Sequence, residues 1–451
     1  RGRSEMPTAI EFFKLLPKTN CKDCGQPTCL AFAMQLANQK AALEDCPHVE
    51  QSAKDALAES SAPPVRTVTV GSGDWTLPMG GETVLFRHER RFVNPVGYAL
   101  TVSDLWDEAR MQKTVQQASS LSFQRVGMVF HLDALRLRCD SADADRFSKA
   151  ATALSSLWDG PLVLESSSTE PLMQAARAIR FRRPLLQSAN PENIKDLGAF
   201  SKETGCPLAI RSDDLQTLAD LVEKARAAGA EDLVLDPAAS EPKDILERNT
   251  ALRRSALKKK FKAFGYPILN DLSGTASALT AATVATLRYS SLVLLDDLKV
   301  EEALPLFTLR QNIYTDPQVP IQVKQALYPV NDPDQHSPIF FTTNFSLTYF
   351  TVRADIEKSK MPVWLQVVDT EGLSVLTAYA AGKFTPENVS AAFQESGVLD
   401  MSDGPVVVPG LVARMSGKLE LAINRKVVVG TNESTAIPRF LKRLAESRSQ
   451  D

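Results

Sequence analysis

Between about residues 95 and 312 the chain alternates two patterns so regularly that few folds can accept it. Short apolar runs, rich in leucine and β-branched residues, begin near Pro95 (PVGYALTV), Ala134 (ALRLRC), Pro161 (PLVLE), Pro184 (PLLQ), Pro207 (PLAI), Asp232 (DLVLD), Tyr266 (YPILND) and Ser291 (SLVLLD). Longer stretches with apolar residues at helical spacing separate them, as at 147–157, 215–228 and 244–264. Strands that are apolar throughout are strands buried on both faces, which parallel sheets require. Eight of them with intervening helices, over roughly 215 residues, describe a (β/α)8 TIM barrel, with an open doubly wound sheet as the alternative.

The chain has 451 residues, more than one barrel uses. Its length gives a prior of roughly three domains. Residues 1–60 read as a small helical unit and 61–94 as a linker, opened by Ser60-Ser61-Ala62-Pro63-Pro64 and continued by an extended stretch. In that stretch Gly71-Ser72-Gly73 lacks a strand–helix context and reads as turn chemistry. The barrel takes 95–315. A proline-studded connector, 316–337, leads to a last α/β stretch at 338–451 with strand-like runs PIFFTTN, VWLQVVD, PVVVPG and RKVVVG.

Four of the six cysteines crowd the first tenth of the chain, as Cys21, Cys24, Cys29 and Cys46 with Pro47 after the last. Alone, residues 7–60 have too little core for stability, so a bound centre is expected to staple them. Zinc usually takes two paired cysteine knuckles, whereas a compact run completed by a distant Cys-Pro suits an iron–sulfur site. A 4Fe-4S cluster is the first reading, with zinc and unmetallated thiols as the others. Cys139 and Cys206 stand alone and read as reduced thiols near a core.

Charge and hydropathy exclude several classes. Lys and Arg total 51 against 54 Asp and Glu, a net charge of -3, which argues against a nucleic-acid or acidic-membrane coat. No apolar run approaches the roughly 18 residues of a membrane span. Arg1-Gly2-Arg3-Ser4-Glu5 precedes no apolar signal core and reads as an added tail, with Met6 as the natural start and a cytoplasmic location expected. The basic residues Arg253, Arg254, Lys258, Lys259, Lys260 and Lys262 read as the solvated face of a helix.

In the last domain every strand runs into small or hydroxylated residues: Thr342-Thr343-Asn344-Phe345-Ser346, Thr370-Glu371-Gly372-Leu373-Ser374, Pro409-Gly410 and Gly430-Thr431-Asn432-Glu433-Ser434. Ligands of open α/β sheets sit outside the carboxyl ends of the strands, and such an edge admits a large, flat, hydrogen-bonding molecule. It carries neither a P-loop nor a G-x-G-x-x-G. Ordinary turns without a ligand are the alternative.

On LPKTNCKDCGQPTCLAFAM (15–34), FGYPI (264–268), RQNIYTDPQVPI (310–321), TTNFSLTY (342–349) and VDTEGLSVLTAYAAGKF (368–384), the chain resembles the large subunits of corrinoid iron–sulfur proteins of the anaerobic acetyl-CoA (Wood–Ljungdahl) pathway. It equally resembles the related γ subunits of acetyl-CoA decarbonylase/synthase complexes. The resemblance implies an iron–sulfur domain, a barrel and a Rossmann-like cobamide-binding domain. It also implies a methyl carrier rather than a stand-alone enzyme. Cobalt, as Co(I), would take a methyl group from methyltetrahydrofolate on a separate methyltransferase and pass it to acetyl-CoA synthase. The cluster would return an electron whenever cobalt is oxidised to Co(II). Implied partners are a small subunit, the methyltransferase, CO dehydrogenase/acetyl-CoA synthase and a reductive activator.

Residue by residue, the resemblance makes Cys21, Cys24, Cys29 and Cys46 the cluster ligands. Thr343, Ser346, Thr348 and Tyr349 would contact the corrin side chains or the nucleotide tail. Gly372, Leu373, Ser374, Val375 and Leu376 would line the tail pocket, Thr377 would face cobalt from below, and Gly430, Glu433 and Ser434 would close the pocket. Where the family pattern reads GPREAS, this chain has Gly430-Thr431-Asn432-Glu433-Ser434-Thr435, which leaves Thr431 and Asn432 without a role. Where many cobalamin domains read D-x-H-x-x-G, it has Asp369-Thr370-Glu371-Gly372, without the histidine. A base-off corrinoid with no histidine below it keeps the Co(II)/Co(I) couple within reach of a low-potential cluster. Two rival readings remain: a pterin-dependent methyltransferase using Glu165, Asp236, Asn270, Asp271 and Asp296 at the barrel mouth, and a cluster-bearing electron-transfer module.

Overall fold

The computed structural model describes residues 9–37, 45–49 and 63–448. They divide into two compact units. One holds the chain up to Leu121 together with Leu132–Tyr314; the other holds Ser122–His131 and the chain from Thr315 onward. In chain order the strands are β1 (Val68–Ser72), β2 (Trp75–Met79), β3 (Gly97–Ser103), β4 (Phe123–Arg125), β5 (Met128–Phe130), β6 (Ala134–Arg138), β7 (Leu162–Glu165), β8 (Leu185–Ala189), β9 (Leu208–Arg211), β10 (Leu233–Asp236), β11 (Ile268–Asp271), β12 (Ser290–Leu295), β13 (Leu327–Val330), β14 (Ile339–Thr343), β15 (Val363–Val368), β16 (Val406–Val408) and β17 (Val427–Val429).

In the first unit, β3 and β6–β12 close into a parallel barrel, each strand beside the next in sequence. All eight apolar runs of the sequence are its strands. Aspartates start three of the intervening helices: Asp107, Asp143 and Asp214 accept N–H bonds from Arg110, Arg146 and Thr217 and so satisfy donors that a helix start leaves open.

The sequence suggests a linker at 61–94, but β1 and β2 form a hairpin there, its turn at Gly73 in the left-handed region as the turn reading expects. Val68, Val70, Leu77 and Met79 of the hairpin pack into one core with Ala99, Ala134, Val163, Leu185, Ala209, Val234, Leu269 and Leu292 of the barrel. Alanines on three strands leave the room that the hairpin fills. The basic segment also differs from its reading. Lys258, Lys259 and Lys260 are exposed, but Arg253 is buried, 3.8 Å from Glu82 and over the Tyr289 ring. A guanidinium can be buried only beside such partners, and the partner here comes from the stretch that read as linker.

Among the described residues the cysteine region holds the helices Ala9–Leu15 and Cys29–Ala37; the apolar residues at helical spacing from Leu30 to Leu43 predict a helix whose end, past Ala37, lies outside the described residues. Phe12, Leu16, Phe32, Ala33 and Leu36 share a small core with Cys29, Cys46 and Val49.

In the second unit the sheet order is β13-β15-β14-β16-β17, parallel except for β13. Strand β13 lies inside the expected connector, and its Pro329 is tolerated because β13 is the sheet's edge. Phe340 and neighbours pack under the helices Ser346–Ser359 and Ile437–Arg448, while Phe341 packs under Val375–Ala380, Pro386–Ser396 and Ser416–Ile423 on the opposite face. Between β15-β14 and β16-β17 the strand order reverses, so the carboxyl ends of β14 and β16 flank the crevice where such sheets bind ligands.

Candidate functional site

The loop before the helix Cys29–Ala37 is built from left-handed residues: Lys18, Asn20, Lys22 and Gly25 all have positive φ. That winding brings Asn20 back over the helix start. Its Oδ1 accepts the Cys29 N–H at 2.8 Å, and its own N–H donates to Cys29 Sγ at 3.4 Å. Cys29 and Cys46 are buried, Cys24 packs against the same core and Cys21 is exposed. Beside Cys21, His48 Nε2 is 2.6 Å from Asp23 Oδ2, and hydrogen bonds from His48 and then Cys21 hold the Asp23 carboxyl below its ordinary pKa. Soft thiols, three of them against one apolar core and one already accepting an N–H, fit an iron–sulfur cluster.

At the carboxyl edge of the β13–β17 sheet, a cavity of about 270 Å³ opens between β14 and β16. Thr342, Thr348, Val407, Pro409, Gly430 and Ser434 are among its lining residues, and Leu347 and Leu411 give it an exposed apolar rim. The hydroxyls of Thr342, Thr343 and Ser346 are buried without a hydrogen-bond partner. Buried hydroxyls are normally satisfied. Two at the end of β14 and one at the start of the helix that follows, with Thr342 lining the cavity, leave hydrogen-bonding capacity for a ligand, and the edge fits an amide-bearing molecule such as a corrinoid.

Of the residues read from sequence, Thr348, Val375, Gly430 and Ser434 line this cavity. Thr343 and Ser346 lie beside it on β14 and at the helix start. Tyr349 is buried against Tyr328 and Phe350, and its hydroxyl accepts from Arg353 at 2.8 Å. Glu433 is exposed, and its carbonyl accepts the Thr431 hydroxyl at 2.8 Å. Asn432 also lines the cavity, and it closes on Gly410, where a Cβ would stand 2.5 Å from Asn432 Oδ1.

The turn after β15 carries Gly372, Leu373, Ser374, Val375, Leu376 and Thr377. Glu371 and Gly372 are both left-handed. Ser374 and Thr377 hydroxyls are 3.1 Å apart, and Leu376 and Thr377 are exposed. His336 stands before β14, at the amino end of the sheet, where it pairs with Asp403 at 2.9 Å.

The barrel mouth is charged but internally committed. Arg136, fully buried, bonds Asp271 at 2.8 Å and Thr101 at 2.6 Å, and lies 3.2 Å from Glu165. Arg211 bonds Asp236 at 2.7 Å. Asn270 faces outward, alternating with Asp271, and is held by Asn249 at 2.8 Å. Asp296 accepts the Gly274 N–H at 2.8 Å. No described helix is long and apolar enough to cross a membrane.

A family model described as CO dehydrogenase/acetyl-CoA synthase delta subunit matches residues 67–441, and an Fe-S cluster model matches residues 16–48. The chain is 40% identical to the corrinoid/iron-sulfur protein large subunit of Moorella thermoacetica, over 96% of this chain and 98% of that one. It is 34% identical to the acetyl-CoA decarbonylase/synthase complex subunit gamma of Methanopyrus kandleri, over 97% of each chain. The corresponding gamma subunit of Methanocaldococcus jannaschii is 33% identical, over 96% of each.

Proposed function

Because the chain belongs to the CO dehydrogenase/acetyl-CoA synthase delta-subunit family, among corrinoid/iron–sulfur protein large subunits and decarbonylase/synthase gamma subunits, we propose that it is a methyl carrier of the acetyl-CoA pathway. The observation that carries this is the set of unpartnered hydroxyls of Thr342, Thr343 and Ser346 beside an open crevice at the sheet's carboxyl edge.

Cys21, Cys24, Cys29 and Cys46 would hold a 4Fe-4S cluster, and the carboxyl edge would hold a base-off corrinoid. When bound, the corrinoid supplies a cobalt that accepts and releases a methyl group, and the cluster supplies single electrons to restore it. This chain's own residues do the rest. Thr342, Thr343 and Ser346 would offer their unpartnered hydroxyls to the corrinoid. Leu347 and Leu411 cover apolar surface. The turn Gly372–Thr377 would lie against the corrinoid, and it offers the hydroxyls of Ser374 and Thr377 and no imidazole.

The partners that fit are a small subunit, a methyltetrahydrofolate methyltransferase, CO dehydrogenase/acetyl-CoA synthase and a reductive activator, in the cytoplasm. Metal analysis of anaerobically purified chain tests the reading: about four iron and about one cobalt per chain are expected. Material that holds no cobalt even after reconstitution with cobamide would refute it. Binding of methyltetrahydrofolate by the corrinoid-free chain would favour the barrel instead.

A further inference from the structure

One buried side chain, to which the sequence assigns no role, ties the end of β14 to the turn after β15. Asn344 is 3% exposed. Its Oδ1 accepts the N–H groups of Thr370 at 3.1 Å and Gly372 at 2.9 Å, with the Thr370 hydroxyl at 3.0 Å. Its Nδ2 donates to Asp369 Oδ1 at 2.8 Å and to Gln322 Oε1 at 3.2 Å. Both lone pairs and both protons of the amide are therefore in use. The backbone of Asn344 is equally engaged, donating to Val368 and accepting from Val323 at 2.8 Å.

The turn needs this hold. Glu371 and Gly372 are consecutive left-handed residues, and the left-handed region is costly for a residue with a Cβ. A Cβ on Gly372 would also stand 2.9 Å from Gln322 Cγ, so the turn is pressed close against the segment that Asn344 grips from the other side. The hydroxyl pair Ser374–Thr377 comes directly after this turn.

We infer that Asn344 is the positioning residue of this segment: its neutral amide fixes the 369–377 turn against the ligand. The inference rests on the corrinoid reading above. A carboxylate in its place would keep the acceptor bonds to Thr370 and Gly372, lose both donors and set two negative charges against each other at Asp369. Exchanging the pair, with the carboxylate at 344 and the amide at 369, restores one donor–acceptor contact and the original charge.

The test uses the full chain with its cluster, freed of corrinoid and titrated with cob(II)alamin, comparing the parent chain, Asn344→Asp and Asn344→Asp with Asp369→Asn. For Asn344→Asp we expect binding about tenfold weaker, from the lost buried bonds, together with an altered EPR signal of the bound corrinoid. The melting temperature of the corrinoid-free Asn344→Asp chain should fall but stay above the titration temperature, and the exchange should recover most of the affinity and the parent signal. If the parent chain binds no cob(II)alamin, the corrinoid reading itself fails. If it binds and Asn344→Asp matches it in affinity and EPR, the positioning role is refuted. A loss that tracks the melting temperature and is not recovered by the exchange also refutes it, because Asn344 would then be only structural.

Discussion

Asp271 and Glu165 flank the same buried guanidinium, Arg136, yet their pKa values move in opposite directions. For Asp271 burial favours the protonated form, but Arg136 and the hydroxyl and N–H of Ser273 outweigh it, and its pKa lies below the ordinary value. For Glu165 burial wins over the attraction of Arg136, and its pKa is raised. A carboxylate with a depressed folded pKa contributes stability above its unfolded pKa and loses it as pH falls through the folded one; a raised pKa reverses the sign. Asp271→Asn should therefore cost about 1.5–3 kcal/mol at pH 7, a gap that closes on acidification below about pH 4. Glu165→Gln should leave stability at pH 7 unchanged or raise it by up to about 1 kcal/mol. Denaturant unfolding of both variants across pH decides this, and equal losses at pH 7 would contradict it. A second residue prediction concerns Asn20. Alanine there would lose the acceptor for Cys29 N–H and meet the cost of a left-handed φ, so Asn20→Ala should surrender iron to a chelator faster than the parent. Iron retained per chain over time measures it.

At the scale of elements, the hairpin β1–β2 serves as the barrel's floor. Leu77 is buried there against Gly97, where a Cβ would stand 2.8 Å from Leu77 Cδ2. Leu77→Ala should cost about 2–4 kcal/mol by cavity formation, and Gly97→Ala about 1–3 kcal/mol by overpacking, both read from the barrel's unfolding transition. If β1–β2 were only a linker, neither change would move that transition. The barrel strands are legible in the sequence because burial on both faces writes them as continuous apolar runs, five of them introduced by Pro95, Pro161, Pro184, Pro207 and Pro267. The hairpin is not, because what makes it a floor is the set of alanines on distant strands. The same holds for Arg253, whose burial depends on Glu82, and for β13, whose Pro329 argues against a strand until its edge position is known. At the carboxyl edge, residue type alone marks the runs Thr342–Ser346, Thr370–Ser374 and Gly430–Ser434 as small and hydroxylated. The bonds of Asn344 to the turn after β15 are not legible there, because they join it to residues that follow another strand.

For the whole molecule, the second unit is joined to the first at three places rather than one. The chain passes between units at Leu121–Ser122, at His131–Leu132 and at Tyr314–Thr315, because the hairpin β4–β5 leaves the barrel sequence and belongs to the second unit. Its turn, Val126-Gly127, is left-handed, and Gly127 lies so near Phe350 that a Cβ would stand 2.4 Å from the ring's Cζ. The proline-studded segment after Tyr314 is also shorter than its sequence suggests. From Ile321 it is already bonded to the β14 end, through Ser346 N–H to Ile321 O and Val323 N–H to Asn344 O. A cut after Tyr314 would therefore leave the hairpin covalently on the barrel fragment while it belongs to the compact unit of the other. A protease site engineered between residues 316 and 320 tests that attachment. With the parent hairpin, the cut halves should elute together on gel filtration, since the hairpin remains covalently part of one fragment and packed into the other. Gly127→Val, which places a side chain into Phe350 and strains the left-handed turn, should let the halves separate after cutting while leaving the uncut chain intact. Separation of the parent halves would mean that the connector alone holds the second unit, and the hairpin would lose its role as a tether.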